Sequence, residues 1–183
     1  MYPTYMSISC AEVTSNDANL TGIHFGVRGE GKTPDEIIKN ARTKGFSELI
    51  KRRFVLGSYI LQKENQEKLF LNACRVRRMI VDRVNELFRE YDGIIMPAAE
   101  GIAPKIDNHV DMLSEKFLML GNHMVIGNFG GYPSITIPSG FVDSMPVGVN
   151  ITGRVKEDSV VLNIANKIEG SMEYANQVAR REE

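Results

Sequence analysis

Residues 69–97 read LFLNACRVRRMIVDRVNELFREYDGIIMP, and this stretch decides the fold class. Leu69, Ala73, Val76, Ile80, Val84, Leu87 and Tyr91 recur at steps of three and four, which puts them on one face of an α-helix. Arg75, Arg77, Arg78, Asp82, Arg83 and Glu86 fall on the other faces. Asp92-Gly93 stops the helix, and Ile94-Ile95-Met96-Pro97 follows as a short apolar run of buried-strand type. A long amphipathic helix leading straight into a buried strand points to an α/β arrangement.

Upstream, Thr33-Pro34-Asp35-Glu36 combines a hydroxyl cap, Pro at the first helical position and Glu three residues after the cap. The helix it opens is predicted to end at Gly45, a residue suited to a left-handed C-terminal position. A second helix is predicted from about Ser47 into the Leu61 region, with Gly57 weakening its middle. The stretch from Met1 to Glu30 reads as polar, with turn chemistry at Ser15-Asn16-Asp17 and a glycine-rich segment from Gly26 to Gly31.

Downstream, Ala98 to Asn108 reads as irregular, and a helix is predicted from about Leu113 to Ile126. Ser134-Ile135-Thr136-Ile137-Pro138 and Val147-Gly148-Val149-Asn150-Ile151 alternate like strands on either side of a turn at Asp143-Ser144-Met145-Pro146. A last helix starts near Asp158 and turns Val161, Ile164, Ala165 and Ile168 inward. About three strands beside about five helices make a narrow sheet, so the expected fold is α/β with a sheet incomplete in this chain.

Composition is that of a globular protein: 43% of the 183 residues are hydrophobic and 25% charged. Lys plus Arg number 22 against 23 for Asp plus Glu, so no global field draws in nucleic acid or an anionic membrane. Cys10 and Cys74 lie far apart without CxxC spacing, which argues against a disulfide framework and for a reducing cytoplasm. No apolar run reaches the roughly 20 residues that span a bilayer, and Met1-Tyr2-Pro3-Thr4 does not open a signal peptide.

Several constellations hint at chemistry. Gly127 to Pro133 is rich in glycine, but a helix precedes it and a strand follows, the reverse of a phosphate loop, so it reads as a close-packed turn. Asp107-Asn108-His109-Val110-Asp111 has metal-ligand residue types without metal-ligand spacing and reads as a solvated loop. His24 and His123 stand alone and read as surface or structural histidines. Neither Gly-x-Ser-x-Gly nor Ser-x-x-Lys is present, and no cysteine has a histidine in a motif, so no residue reads as a nucleophile. Lys51-Arg52-Arg53 occupies three successive helical positions about 100° apart, which turns at least one inward or along a groove. An inward Arg needs an anionic partner, and a carboxylate matches its planar fork.

These residues also carry a family resemblance. Tyr5 through Gly26, with Ala11-Glu12-Val13-Thr14-Ser15-Asn16 and Thr21-Gly22-Ile23-His24-Phe25-Gly26, resembles a block of the A subunits of glutamyl-tRNA(Gln)/aspartyl-tRNA(Asn) amidotransferases, members of the amidase-signature family. Gly45-Phe46 through Arg53 to Leu56-Gly57-Ser58-Tyr59 is similar to the next block. Tyr91 to Pro97, Asn128 to Gly140 and Pro146 to Gly153 are similar to later ones, in order, to about Glu169. The first two blocks are specific to this kind of subunit, and the terminal strand motifs are shared more widely.

The resemblance implies the C-terminal half of an amidase-signature domain: a mixed β-sheet flanked by helices, with residues 1–183 as one partial domain and 171–183 as a charged helical tail. It implies a subunit that hydrolyses glutamine and passes ammonia to a partner, which amidates a tRNA-bound glutamate or aspartate after ATP activation. The family's Lys–Ser–Ser triad lies in the N-terminal half, so this chain is expected to carry no catalytic residue, no cofactor and no activity alone. Expected partners are that half, the B and C subunits, glutamine, and misacylated tRNA held through the partner, which also uses ATP and Mg2+. Tyr5 matches the tyrosine lining the glutamine site, and Arg53 the arginine that pairs with the glutamine carboxylate. An Asp that binds the substrate amine is expected seven residues before Asn128, where this chain has Gly121; either the local register differs here, or Asn122 or a neighbour substitutes. Two other readings stay open: a piece of another amidase-signature hydrolase, or a degenerate interaction module.

Overall fold

The computed structural model describes residues 1–103 and 122–173. The chain separates into two compact units, Pro3–Arg77 and Arg78–Glu183 together with Met1–Tyr2. Helices and a small incomplete sheet make the protein α/β, as the sequence predicts. Among the described residues no helix is long and apolar enough to cross a membrane.

The Pro3–Arg77 unit is helical. It contains α1 (Tyr2–Asn16), α2 (Pro34–Gly45), α3 (Glu48–Ile60), α4 (Lys63–Gln66) and the start of α5 (Asn72–Leu87). Helix α1 corrects the expectation of polar turn chemistry between Met1 and Glu30. Its buried residues Ile8, Cys10 and Ala11 are interleaved with Ser7, Ser9 and Glu12, so no apolar stripe marks it. Tertiary packing makes this helix, as it does most short helices. Cys10, Ala11 and Ile60 form its core, with Met6, Leu61, Leu69 and Phe70 packed against them.

The α2 capping box is present in full: Thr33 Oγ1 accepts from the Glu36 N–H and Glu36 Oε2 accepts from the Thr33 N–H, both at 3.3 Å. Gly45 ends α2 as predicted, but not in a left-handed conformation; the chain leaves through an extended Phe46 (φ −109°, ψ 138°). Gly57 has a different reason from the one its helix propensity suggests. A Cβ there would strike the Cys10 carbonyl and Thr14 Oγ1, so the missing side chain lets α3 lie directly on α1.

The long amphipathic helix begins earlier than predicted and is interrupted. A π turn at Glu67–Leu71 joins α4 to α5. The extra residue of a π turn shifts the phase of the stripe. Leu69 and Phe70 pack with Cys10, whereas Val84 and Phe88 pack with Tyr132, and Val76 between them is 41% exposed. Tyr91, the last member of the predicted stripe, lies beyond the end of α5 and is also exposed.

In the other unit β1 (Ile94–Pro97), β2 (Ser134–Val142) and β3 (Met145–Thr152) form a sheet of order β1-β3-β2. Both pairings are antiparallel, with Ile95 opposite Ile151 and Ile135 opposite Ile151 on its other side. The predicted turn narrows to Asp143 and Ser144, at φ 49° and 62°, as a two-residue hairpin of the mirror-image type requires. Strand β2 runs past Pro138 because the proline nitrogen faces the outer edge and costs no ladder bond, and the register shifts between Pro138 and Gly140. Helix α6 (Val125–Gly130) precedes β2, and α7 (Asp158–Glu169) follows β3. Val161 and Ala165 of α7 pack on Ile137 and Ile151.

Only the end of the helix predicted from about Leu113 is described, as a 3₁₀ turn at Asn122–Met124 leading into α6. The rest of that helix, Asp107 to Asp111, and residues 174–183 of the tail lie outside the described residues. Of Gly127 to Pro133, expected as a turn, Gly127 to Gly130 instead continue α6, and the close-packed turn is confined to Gly131 to Pro133. Gly131 takes the left-handed position after α6 (φ 71°), and a Cβ on Gly130 would meet the Tyr132 ring. Tyr132 Oη donates to Asn85 Oδ1 (2.7 Å), and burial, helped by Asp82, raises the phenol pKa. Arg154 ties this end together, its Nε 2.7 Å from the Phe88 carbonyl and its Nη2 3.2 Å from both the Tyr91 carbonyl and Asp92 Oδ1.

Two glycine substitutions have opposite expected signs. Gly57→Ala gains about 1 kcal/mol of helix propensity. It meets rigid backbone, however, and overpacking costs about 1–3 kcal/mol, so its unfolding midpoint in denaturant should fall. Nothing lies within 4 Å of a Cβ on Gly45, so Gly45→Ala should be neutral or raise the midpoint. A rise for Gly57→Ala would show that α3 does not rest on α1 at this point.

Candidate functional site

The α1–α3 crossing positions the one basic side chain that the sequence singles out. Arg53, Gly57 and Ile60 share a face of α3 by their spacing. Gly57 and Ile60 meet Cys10 of α1, so Arg53 sits one turn earlier on the same side. Burial follows this phase: Arg53 and Lys51 are half-buried and Arg52 is exposed, so the inward-turning argument holds for the run.

Cys10 is fully buried, and burial raises its thiol pKa while the Arg53 charge opposes the rise. The net shift is upward, so the thiol stays protonated at neutral pH. A protonated thiol neither attacks a carbonyl nor neutralises a guanidinium. Among the described residues none of the salt bridges uses Arg53, so its fork has no carboxylate from them.

Arg42 makes the contrast clear. Its Nη1 lies 2.7 Å from the Asp17 carbonyl and 3.2 Å from that of Leu20, and its guanidinium stacks on Phe46 and Phe54 at 5.1 and 5.0 Å. Those two rings meet edge to face at 4.9 Å. Arg42 is therefore consumed in holding the loop after α1 to α2 and α3. Sequence reading missed this role; the four-residue spacing of Arg42 and Phe46 is the signal that could have found it.

Tyr5 is half-buried on α1 in the same unit. It lies five residues before Cys10, about 140° around the helix and about 7.5 Å along it. The crossing thus brings Arg53 to Cys10 and leaves Tyr5 on a different side of α1. Gly121 lies outside the described residues, and Asn128 is exposed on α6. His24 is exposed, and His123 is held by its Nε2, 2.6 Å from the Pro97 carbonyl. Among the described residues no group of three or more His, Cys, Asp or Glu side chains could hold a metal.

The Amidase family profile matches residues 1–162. The chain is 35% identical over 171 residues to the A subunit of glutamyl-tRNA(Gln) amidotransferase from Thermotoga maritima, covering 93% of this chain and 36% of that protein. It is 34% identical to the corresponding protein of the same name from Sulfurisphaera tokodaii, covering 91% and 35%. The chain therefore spans about a third of the length of the curated relatives it matches. The crystal structure of the Thermotoga maritima protein superposes with a TM-score of 0.57, covering 77% of this chain and 31% of that one. The crystal structure of an amidase, 17% identical, shares the fold with a TM-score of 0.67, covering 93% and 35%. A profile match over residues 1–162 and 35% identity over 93% of its length show that this chain belongs to the amidase family.

Proposed function

We propose that the chain forms part of the glutamine-hydrolysing A subunit of a tRNA-dependent amidotransferase, in which it supplies one wall of the glutamine pocket. The carrying observation is the identity of 31–35% to A subunits across nine-tenths of the chain, against 15–23% to other solved amidase-type enzymes. In this reading Arg53 pairs with the glutamine α-carboxylate and Tyr5 lines the pocket. The physical support is a half-buried guanidinium whose acidic neighbour, the Cys10 thiol, is kept neutral by burial. A planar fork left open in this way matches an incoming carboxylate.

The remaining roles fall to parts outside this chain. The Lys–Ser–Ser triad lies in the rest of the amidase domain, and the ammonia passes to the B and C subunits, where ATP, Mg2+ and the misacylated tRNA are used. The working place is the cytoplasm. Amine recognition falls to Asn122 or a neighbour, because Gly121 offers no carboxylate. A second reading, an amide hydrolase without tRNA partners, draws on the higher TM-scores to an amidase (0.67) and to a 6-aminohexanoate cyclic dimer hydrolase (0.64). These two are 17% and 16% identical to this chain and bear on the fold alone.

Two measurements test the proposal. The purified 183-residue chain should release no ammonia from glutamine, since covalent catalysis needs a nucleophile; measurable hydrolysis would overturn that part. The second uses a chimera of the Thermotoga maritima protein in which this chain replaces the matched segment. There Arg53→Ala should raise KM for glutamine about 10- to 100-fold, the loss of a charge-assisted pairing worth about 1.5–3 kcal/mol. Arg53→Lys should recover part of it, keeping the charge without the fork. An unchanged KM for glutamine, with turnover of neutral amides, would favour the second reading.

A further inference from the structure

Helix α3 meets α1 through a polar contact beside Arg53. Thr14 Oγ1 donates to the Phe54 carbonyl at 3.4 Å, between residues 40 positions apart in the sequence. A helical side chain lies back over the turn that precedes it, so a side chain at position 57 would cover that carbonyl. Gly57 covers nothing, and a Cβ there would strike Thr14 Oγ1. The glycine thus opens the carbonyl and the threonine closes it. Within α3 the Phe54 carbonyl serves the helix ladder, and its second lone pair is the one a neighbouring hydroxyl can take.

Phe54 follows Arg53 directly, and it is held at two points. Its carbonyl meets Thr14, and its ring stands edge to face on Phe46, 4.9 Å between centroids, with the Arg42 guanidinium 5.0 Å away. Thr14 itself is half-buried, one turn after Cys10 on the face of α1 that meets α3. The apolar core of Cys10, Ala11 and Ile60 draws the two helices together, but burial has no direction and tolerates a slide along the axis. A hydrogen bond has direction. At 3.4 Å this one is near the limit of its range, so a slide of α3 away from Thr14 breaks it.

We propose that Thr14 is a positioning residue for Arg53: its hydroxyl fixes the height of α3 on α1, and with it the point from which Arg53 meets the carboxylate of glutamine. Only the second half rests on the proposed function; the first concerns how the helix is held.

The test uses the Thermotoga maritima chimera. Thr14→Val keeps the branched shape and removes the hydroxyl. It should raise KM for glutamine about 3- to 10-fold, the range of one neutral hydrogen bond, with kcat within about 2-fold. Thr14→Ser should restore KM. In an Arg53→Ala background Thr14→Val should add nothing to KM, because the two act as one unit. Where Arg53→Ala raises KM, an unchanged KM in Thr14→Val overturns the proposal. A rise that serine does not reverse, or that persists in full without Arg53, overturns it too. If Arg53→Ala itself leaves KM unchanged, the functional reading falls, and crystal structures of the chimera decide the positioning. Thr14→Val should then displace the Arg53 Cα on α1 by more than about 0.5 Å, with Thr14→Ser superposing on the parent; no displacement overturns it.

Discussion

The arrangement of the Pro3–Arg77 unit depends on one close approach, that of Gly57 to the Cys10 carbonyl and Thr14. Any side chain at position 57 would hold α3 off α1, and the core of Cys10, Ala11 and Ile60 would lose its contact. The same approach sets the phase of α3. With Gly57 and Ile60 committed to α1, the residue one turn earlier on that face is Arg53, and it arrives half-buried beside a buried thiol. The electrostatics of the site therefore follow from packing. Burial keeps Cys10 neutral, and a neutral neighbour leaves the guanidinium charge available.

In the other unit a comparable economy of atoms fixes the join between helix and sheet. Gly130 has no Cβ, so the Tyr132 ring can fold back over the end of α6 toward Phe88, 5.4 Å away between ring centroids. The phenol then reaches Asn85 on α5. Arg154, just after β3, takes the carbonyls of Phe88 and Tyr91 beyond the end of that helix. Those carbonyls have no partner within a helix that has stopped. One side chain closes the helix end and anchors the chain before α7.

What was legible in the sequence was what is decided locally. Thr33, Pro34 and Glu36 specify a helix start within a single turn, and the structure has the full capping box. The alternation of residues 134–138 and 147–151 marked both strands of the hairpin, and Val161, Ile164, Ala165 and Ile168 marked the face of α7. What failed depends on partners far along the chain. Helix α1 has no stripe because its buried Cys10 and Ala11 are small and lie among Ser7, Ser9 and Glu12, and Val76 is exposed because the π turn divides its stripe between two cores. Gly45 shows the limit of residue type alone: a helix-ending glycine suits a left-handed cap, but this helix leaves through an extended Phe46. Arg53 was legible as an inward candidate from three consecutive cations. The neutral thiol beside it was not, because Cys10 belongs to a helix that no stripe announces.

Arg42 and Arg53 differ in what their guanidinium groups meet within one helical unit. Both arginines lie beside aromatic or apolar neighbours in the same helical unit. Arg42 spends its donors on two carbonyls and its face on two rings, which is what a structural arginine does. Among the described residues no ion pair uses Arg53, which lies half-buried on α3. A guanidinium that pairs with a carboxylate fixes its position, whereas breaking a bond also needs a nucleophile. Binding and chemistry are thus separable along a polypeptide, and in the proposed reading this chain supplies the binding side.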